Sequence, residues 1–365
     1  MWLNTKVLVV GGGPAGVTAA RVLAESGVDV ILLKRNLSFV KPCGGGVSLS
    51  AFEELGIPKT TIKKEVKNVR IVSPKGERLD MGLRDGNLAI VERGEFERVL
   101  RNRAEEQGAE VIEGDFVRII DDNDKIYRVE ARVGDVMTEI AAEYIIAADG
   151  VNSRVRTAMG IKPSKSLFTF SERIKEVETG FCELWFGSSH APGVYSWVFP
   201  ATDGISAGTG SFEPGEIKVL FGRFKQRRGI IAEGRKRIYR IPIWKGNLYN
   251  KGKVIFAGDS AGQVIPLIYE GIYYAMKAGE FAAGAIIEKK VGNYKRRWKA
   301  RFQKRFTLMD KLRDYFFKDN ASAERLVALH RRPEIQELSL RLWIKKDSSM
   351  EGFKDYIKLF GKFLS

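Results

Sequence analysis

The sequence predicts an α/β protein with three parts: a discontinuous Rossmann-like domain, a second domain built on an antiparallel β-sheet, and a helical C-terminal region. Three observations predict it. A complete strand–turn–helix–strand unit opens the chain in "KVLVVGGGPAGVTAARVLAESGVDVILL". A further strand and Gly-Asp turn, "KVIFAGDSAG" at residues 253–262, leads into a helix rich in small residues. Between them run short stretches such as "NVRIVSP", "ELWFGS" and "ISAGTGSF". Their alternation is the pattern of strands with one buried face.

Composition bounds the answer. A chain of 365 residues, 44% hydrophobic and 29% charged, is long enough for two coupled globular domains. Two cysteines and two histidines are too few for a disulfide scaffold or a zinc cluster, so no metal site is expected. The reducing cytosol is the expected compartment, with no signal peptide ahead of the first strand. No uninterrupted apolar run reaches the roughly 18 residues of a bilayer span. The net charge is +16, and residues 290–365 hold 20 Lys/Arg against 9 Asp/Glu. Such a surface attracts nucleic acid, anionic lipid or phosphorylated small molecules, and equally reads as a solvated face with no partner.

Each element can be justified in order. Val7 to Val10 read as a buried parallel strand. Gly11, Gly13 and Gly16 then give G-x-G-x-x-G, with Pro14 and Ala15 opening the helix. Gly11 permits the tight turn, Gly13 lets a pyrophosphate approach the backbone, and Gly16 lets helix and strand pack closely. The helix N-terminus faces the phosphates with free N–H groups. Gly27 ends the helix and "VDVILL" is the second strand. Where the pattern has an acid for the adenosine ribose, this chain has Lys34 followed by Arg35. By itself the pair would suit the 2′-phosphate of NADP, or it leaves the ribose held less well, through backbone groups and water.

Next comes "KPCGGGVS", Lys41 to Ser48, where Cys43 precedes Gly44, Gly45 and Gly46. Three glycines in a row are kept where something must come close to the main chain. Ser50 with Glu53 reads as a capping box opening a short helix that ends at Gly56. "ERGEFERVLRNRAEEQG" opens a helix with Arg93, Phe96 and Leu100 on one face. "AEYIIAADGVNSRVRTAMG" holds a strand, then Asp149 and Gly150, then Ser153 and Arg156. In "YSWVFP", Tyr195, Trp197 and Phe199 alternate with Ser196 and Val198, which puts three aromatics on one strand face. They are either a substrate wall or plain sheet core. At the Gly258–Asp259 turn a carboxylate can accept from hydroxyls of a bound ligand. In the C-terminal part Trp298, Phe302, Phe306, Met309, Leu312 and Phe316 recur at helical spacing. They make either a docked face or a membrane-seeking one.

Taken together, GGGPAG, R-x-x-F-E-x-x-L, ADG-x-x-S and GD-x-AG resemble the FAD-dependent enzymes with the fold of p-hydroxybenzoate hydroxylase. "KPCGG", "YSWVFP" and "GIYYAMKAG" narrow the resemblance to the geranylgeranyl reductases, over residues 5–290. It implies FAD held by Gly11, Gly13, Pro14, Ala15 and Gly16 at the pyrophosphate. It also implies Arg93 toward the ribityl–phosphate region, with Asp149, Gly258 and Asp259 on the pyrophosphate and ribityl side. Glu270 and Gly271 would bring a helix N-terminus to the pyrimidine edge, where reduced flavin carries negative charge. Lys34 and Arg35 would lie at the ribose, and Cys43, Gly44 and Gly45 against the flavin ring. Cys43, Tyr195 and Trp197 are the expected catalytic set, with Cys43 as a proton source or as a wall residue.

The resemblance also implies a domain plan. Residues 1–62, 88–162 and 250–290 would form the FAD-binding domain, 63–87 and 163–249 the substrate domain, and 291–365 the helical region. The implied activity is saturation of C=C bonds in a C20 prenyl chain carried by a lipid, a diphosphate, a pigment or a quinone. The electron donor would be NAD(P)H or ferredoxin. The protein would be cytoplasmic, with a peripheral site on the inner face of an anionic membrane and no nucleic-acid partner. A flavin monooxygenase or halogenase shares these flavin motifs, and an electron-transfer flavoprotein is a further alternative.

Overall fold

The computed structural model describes residues 2–83, 87–122 and 126–346. The expected C-terminal helices beyond residue 346 lie outside the described residues. Packing divides the chain into two compact units. The first comprises residues 1–40, 94–166 and 241–304; the second comprises 41–93, 167–240 and 305–365.

In the first unit an eight-stranded sheet is built around the N-terminal strand Trp2–Val10. That strand runs parallel to Val136–Ala147 on one side and to Val30–Lys34 on the other. Val254–Phe256 adds in parallel beyond Val136–Ala147, and Glu110–Glu113 beyond Val30–Lys34. Every residue of "VILLK" is buried, as a parallel strand covered on both faces requires. The helices Pro14–Glu25 and Ile272–Ile287 cross closely, because a Cβ on Gly279 would overlap the Ala15 carbonyl.

The second unit holds a seven-stranded sheet. Its strand order is Arg235–Pro242, Ser166–Lys175, Gly204–Ser211, Ser196–Ala201, Cys182–Trp185, Asn68–Val72 and Arg78–Gly82. From Ser166–Lys175 to Arg78–Gly82 the pairings are antiparallel except one, since Cys182–Trp185 runs parallel to Asn68–Val72. One face packs on the helix Ile217–Arg228 through Phe170, Trp185, Val198, Ala207, Phe221 and Phe224. Two acids are buried on that face, and each meets a cation from the helix. Lys225 Nζ is 3.0 Å from Glu172, and Arg228 makes two 2.8 Å hydrogen bonds to Glu183.

The glycine loop and the residues after it fall within the second unit, where Gly46–Ser48 pairs with Leu88–Val91, which pairs with Ile62–Val66 in a separate three-stranded sheet. The capping box does not form. The helix Leu49–Glu54 takes Ser48 as N-cap without a side-chain bond, and Ser50 Oγ donates to the Ile344 carbonyl instead.

From residue 292 onward the described chain is helical. Trp298, Phe302, Phe306, Met309, Leu312 and Phe316 are all 0% exposed. The Phe302 ring stacks 4.9 Å from Trp298 and 5.2 Å from Tyr274. This apolar face is spent inside the protein and is not available to a membrane. No helix among the described residues is long and apolar enough to cross one. Phe302→Ala is expected to cost about 3–5 kcal/mol of stability. A urea titration checks this, and an unchanged midpoint would show that the ring is not part of the core.

Candidate active site

The first unit builds a cradle from glycine turns and helix ends. Gly11 sits at φ 106°, where a Cβ would overlap the Ala148 carbonyl. Its N–H bonds Leu33 O at 2.8 Å, fixing the exit from the first strand. The side of Gly13 is open, with no atom within 4 Å of where a Cβ would stand. The helix Pro14–Glu25 begins there with no side-chain cap and no acid in its first turn. Ile272–Ile287 begins in the same way at Gly271. Two helix N-termini thus offer N–H groups and positive dipole ends in one unit.

Carboxylates complete the cradle. Asp259 lies in the short turn Gly258–Ala261, and its Oδ1 is 3.7 Å from the position of a Cβ on Gly271. Glu270 immediately precedes that helix end. Asp149 Oδ2 accepts from the Val155 N–H at 3.1 Å, while its Oδ1 is buried with no hydrogen-bond partner. Burial raises the Asp149 pKa against the hydrogen bonds that lower it. Open N–H groups for phosphates and a buried acceptor for a hydroxyl are the donor set a dinucleotide takes, so these residues fit FAD.

Lys34 is held within the protein. It is 7% exposed, its aliphatic stem packs against Gly12, and its Nζ lies 3.6 Å from Glu97 Oε2. Glu97 comes to it from the helix Arg93–Glu106. Sequence reasoning passed over Glu97, although it is the acid of R-x-x-F-E-x-x-L. Arg35 is exposed.

In the second unit the glycine loop has a visible reason. Gly44 lies under the Phe199 ring, where a Cβ would come within 2.5 Å of it, and Gly46 touches the same ring. Gly45 is left-handed at φ 78°, with the Val91 carbonyl 2.6 Å from any Cβ. Cys43 is a half-buried free thiol whose Sγ accepts from the Gly45 N–H at 3.2 Å. Arg93 Nη1 stands 3.9 Å from the same sulfur. Cys182 is also a free thiol, so the two cysteines are not bridged.

The aromatic strand has two distinct faces. Ser196, Val198 and Pro200 are buried, and Val198 enters the core against Ile217–Arg228. Tyr195, Trp197 and Phe199 are half-buried on the other face. Trp197 lies across Gly208 of the neighbouring strand, where a Cβ would overlap the indole. Its Nε1 is buried and has no partner. Tyr195 packs edge-on against Phe186 and Phe317. The second unit therefore joins Cys43 to Arg93 and the glycine loop to Phe199. The cradle residues Gly11 to Gly16, Lys34, Asp149, Gly258, Asp259, Glu270 and Gly271 belong to the first.

Comparison with known proteins agrees with this geometry. Residues 4–210 match the family model described as FAD binding domain. The chain is 31% identical to a chloroplastic geranylgeranyl diphosphate reductase of Oryza sativa, over 97% of this chain and 84% of that one. It is 32% identical to digeranylgeranylglycerophospholipid reductase 2 of Methanothermobacter thermautotrophicus, over 96% of each. Among solved structures, a geranylgeranyl bacteriochlorophyll reductase-like protein of Thermoplasma acidophilum superposes with TM-score 0.85 at 23% identity, covering all of both chains. A flavin-dependent brominase superposes with TM-score 0.76 at 16% identity, over 98% of this chain and 99% of that one. These two likenesses establish the fold. Fold and cradle together define a FAD-dependent oxidoreductase. The chain belongs to the geranylgeranyl reductase family of these flavoproteins.

Lys34→Glu is expected to set two buried carboxylates against each other. Removing one partner of a buried pair costs about 3–5 kcal/mol. The variant should lose FAD on gel filtration and unfold at lower denaturant, and the exchange Lys34→Glu with Glu97→Lys should recover part of both. Tighter FAD binding by the single variant would show that the Lys34–Glu97 pair is not what holds this corner.

Proposed function

We propose that this protein saturates C=C bonds of a geranylgeranyl (C20 prenyl) chain. The carrying observation is the half-buried aromatic face of Ser196–Ala201, with Trp197 flat on Gly208. The opposite face of the same strand supplies the core, so these aromatics are not needed to fill it. A broad face of rings over a glycine strand suits a long, methyl-branched apolar chain that must slide and stop at successive double bonds. The two curated relatives are named for different headgroups, a diphosphate and a glycerophospholipid. A geranylgeranyl chain is common to both names.

Bound and reduced, FAD supplies the hydride for each bond. The chain's residues must bind the prenyl chain, exclude water and deliver the accompanying proton. Trp197 and Phe199 do the first two. Cys43 Sγ holds the proton, positioned by the Gly45 N–H and by Arg93. The glycine loop supports this arrangement, because Gly44 and Gly46 lie close against the Phe199 ring.

The reading is tested by reducing the purified protein without oxygen and adding a geranylgeranyl compound. Flavin reoxidation with a product heavier by two hydrogens per bond supports it. Reoxidation by oxygen alone, with no prenyl product, overturns it. Cys43→Ala should retain FAD and still accept electrons, yet slow the prenyl-dependent reoxidation by roughly 10²–10⁴, the usual cost of a lost general acid. Cys43→Ser should fall between. A near wild-type rate for Cys43→Ala would make the cysteine a wall residue.

A further inference from the structure

We infer that the edge strand Arg235–Pro242 carries the subsite for an anionic phosphate headgroup of the substrate, on the same sheet face as the aromatic wall. The inference rests on the prenyl reading above and adds to it the other end of the ligand.

Strand register settles the face. Trp197 is opposite Gly208, and Gly208 is opposite Ser171. Alternation then places Thr169 and Arg173 on that face with Ser171. On the edge strand, Lys236 pairs with Glu172 at 3.7 Å and Arg240 stacks 5.4 Å over Phe168. Glu172 and Phe168 belong to the opposite, helix-covered face, because they alternate with Thr169 and Ser171. Arg235, Arg237 and Tyr239 therefore stand on the face of Trp197. Lys41, two residues before Cys43, confirms the side: its Nζ sits 5.1 Å over the Tyr239 ring. The loop that touches Phe199 through Gly44 thus begins at the edge strand with a lysine.

Charge distinguishes this edge. Arg235 and Arg237 are exposed, and among the described residues neither has an ion-pair partner. The nearby acids are already engaged. Asp203 lies 3.6 Å from both Arg173 and Lys175, and Glu233 bonds Lys236 at 3.0 Å. Cations on an edge strand also block edge-to-edge pairing, and Lys236 with its two acids serves that purpose. That role does not account for Lys41 and Tyr239 closing over the same face. Between the edge strand and Ser196–Ala201 there are three strand spacings, about 14 Å at ~4.8 Å each. The row between holds small residues, Thr169, Ser171, Ser206 and Gly208. An apolar wall, a narrow floor and a cationic end match a prenyl chain carrying a phosphate group.

The same chemistry could come from a free prenyl diphosphate or from the phosphate of a prenyl phospholipid. Dissociation constants for geranylgeranyl diphosphate, a digeranylgeranylglycerol phospholipid and geranylgeraniol should be measured on the full protein. The wild type, Arg235→Ala/Arg237→Ala and Arg235→Lys/Arg237→Lys should be compared. The expected result is a wild-type preference for a phosphate-bearing ligand over the alcohol. That preference should shrink in the alanine variant on the order of 10- to 100-fold, and largely survive in the lysine variant. Whichever phosphate ligand loses affinity identifies the source. No preference in the wild type, or an equal preference in all three proteins, overturns the subsite. Flavin reoxidation by all three ligands in that case leaves the prenyl reading standing, whereas reoxidation by none removes that reading.

Discussion

The close approach of main chain to main chain at the first turn governs the rest of the first unit. Gly11 can sit where it does only because it has no Cβ to meet the Ala148 carbonyl. Gly16 is held against the Gly11 carbonyl in the same way, and Gly279 against that of Ala15. Segments remote in sequence therefore converge with no side chain between them. The space so opened lies beside Gly13, at the end of an uncapped helix. Any side chain at these points would push apart the strands and helices that aim N–H groups at the same region. Beside this turn Asp149 accepts from the Val155 N–H of the short helix Arg154–Ala158 with one oxygen and keeps the other unpaired, while Ser153 caps that helix.

The second unit solves a different problem, a sheet with two occupied faces. Its core face buries two carboxylates, Glu172 at 2% and Glu183 at 1% exposure. Buried charges are tolerated only with partners close at hand. Lys225 and Arg228, one helical turn apart by position, provide them. Glu183 also accepts from Trp185 Nε1 at 2.7 Å and from Thr179 at 3.0 Å, so its oxygens are well satisfied. With that face closed by the helix, the aromatics at 195, 197 and 199 are left to the other face. There Gly44 and Gly46 accept the Phe199 ring and Gly208 the Trp197 indole, while Tyr195 packs on Phe186 and Phe317.

Lys34 and Glu97 show how a motif departure can be absorbed. A lysine at the end of a buried strand would be costly alone. Its stem covers Gly12 and its ammonium meets Glu97, so the charge is paired where it enters the protein. The change at 34 is thus half of a two-residue arrangement.

Much of this protein was legible in its sequence. The G-x-G-x-x-G turn, the Gly-Asp turn and the alternating strands each depend on local spacing, and each appears where the pattern placed it. The one-sided aromatic strand was likewise written in a period of two. What the sequence left open depended on partners distant in the chain. Whether Trp298 to Phe316 seek a membrane or a core was decided by their burial, Phe302 for one packing against Tyr273 and Tyr274. Whether Ser50 caps its own helix was decided by the Ile344 carbonyl, 294 residues away. Lys34 could be understood only once the helix Arg93–Glu106 brought Glu97 to it, and the glycines after Cys43 only once the Phe199 ring lay on them. Local periodicity determines which face of an element is apolar; only tertiary contact determines what that face, or a charge upon it, is set against.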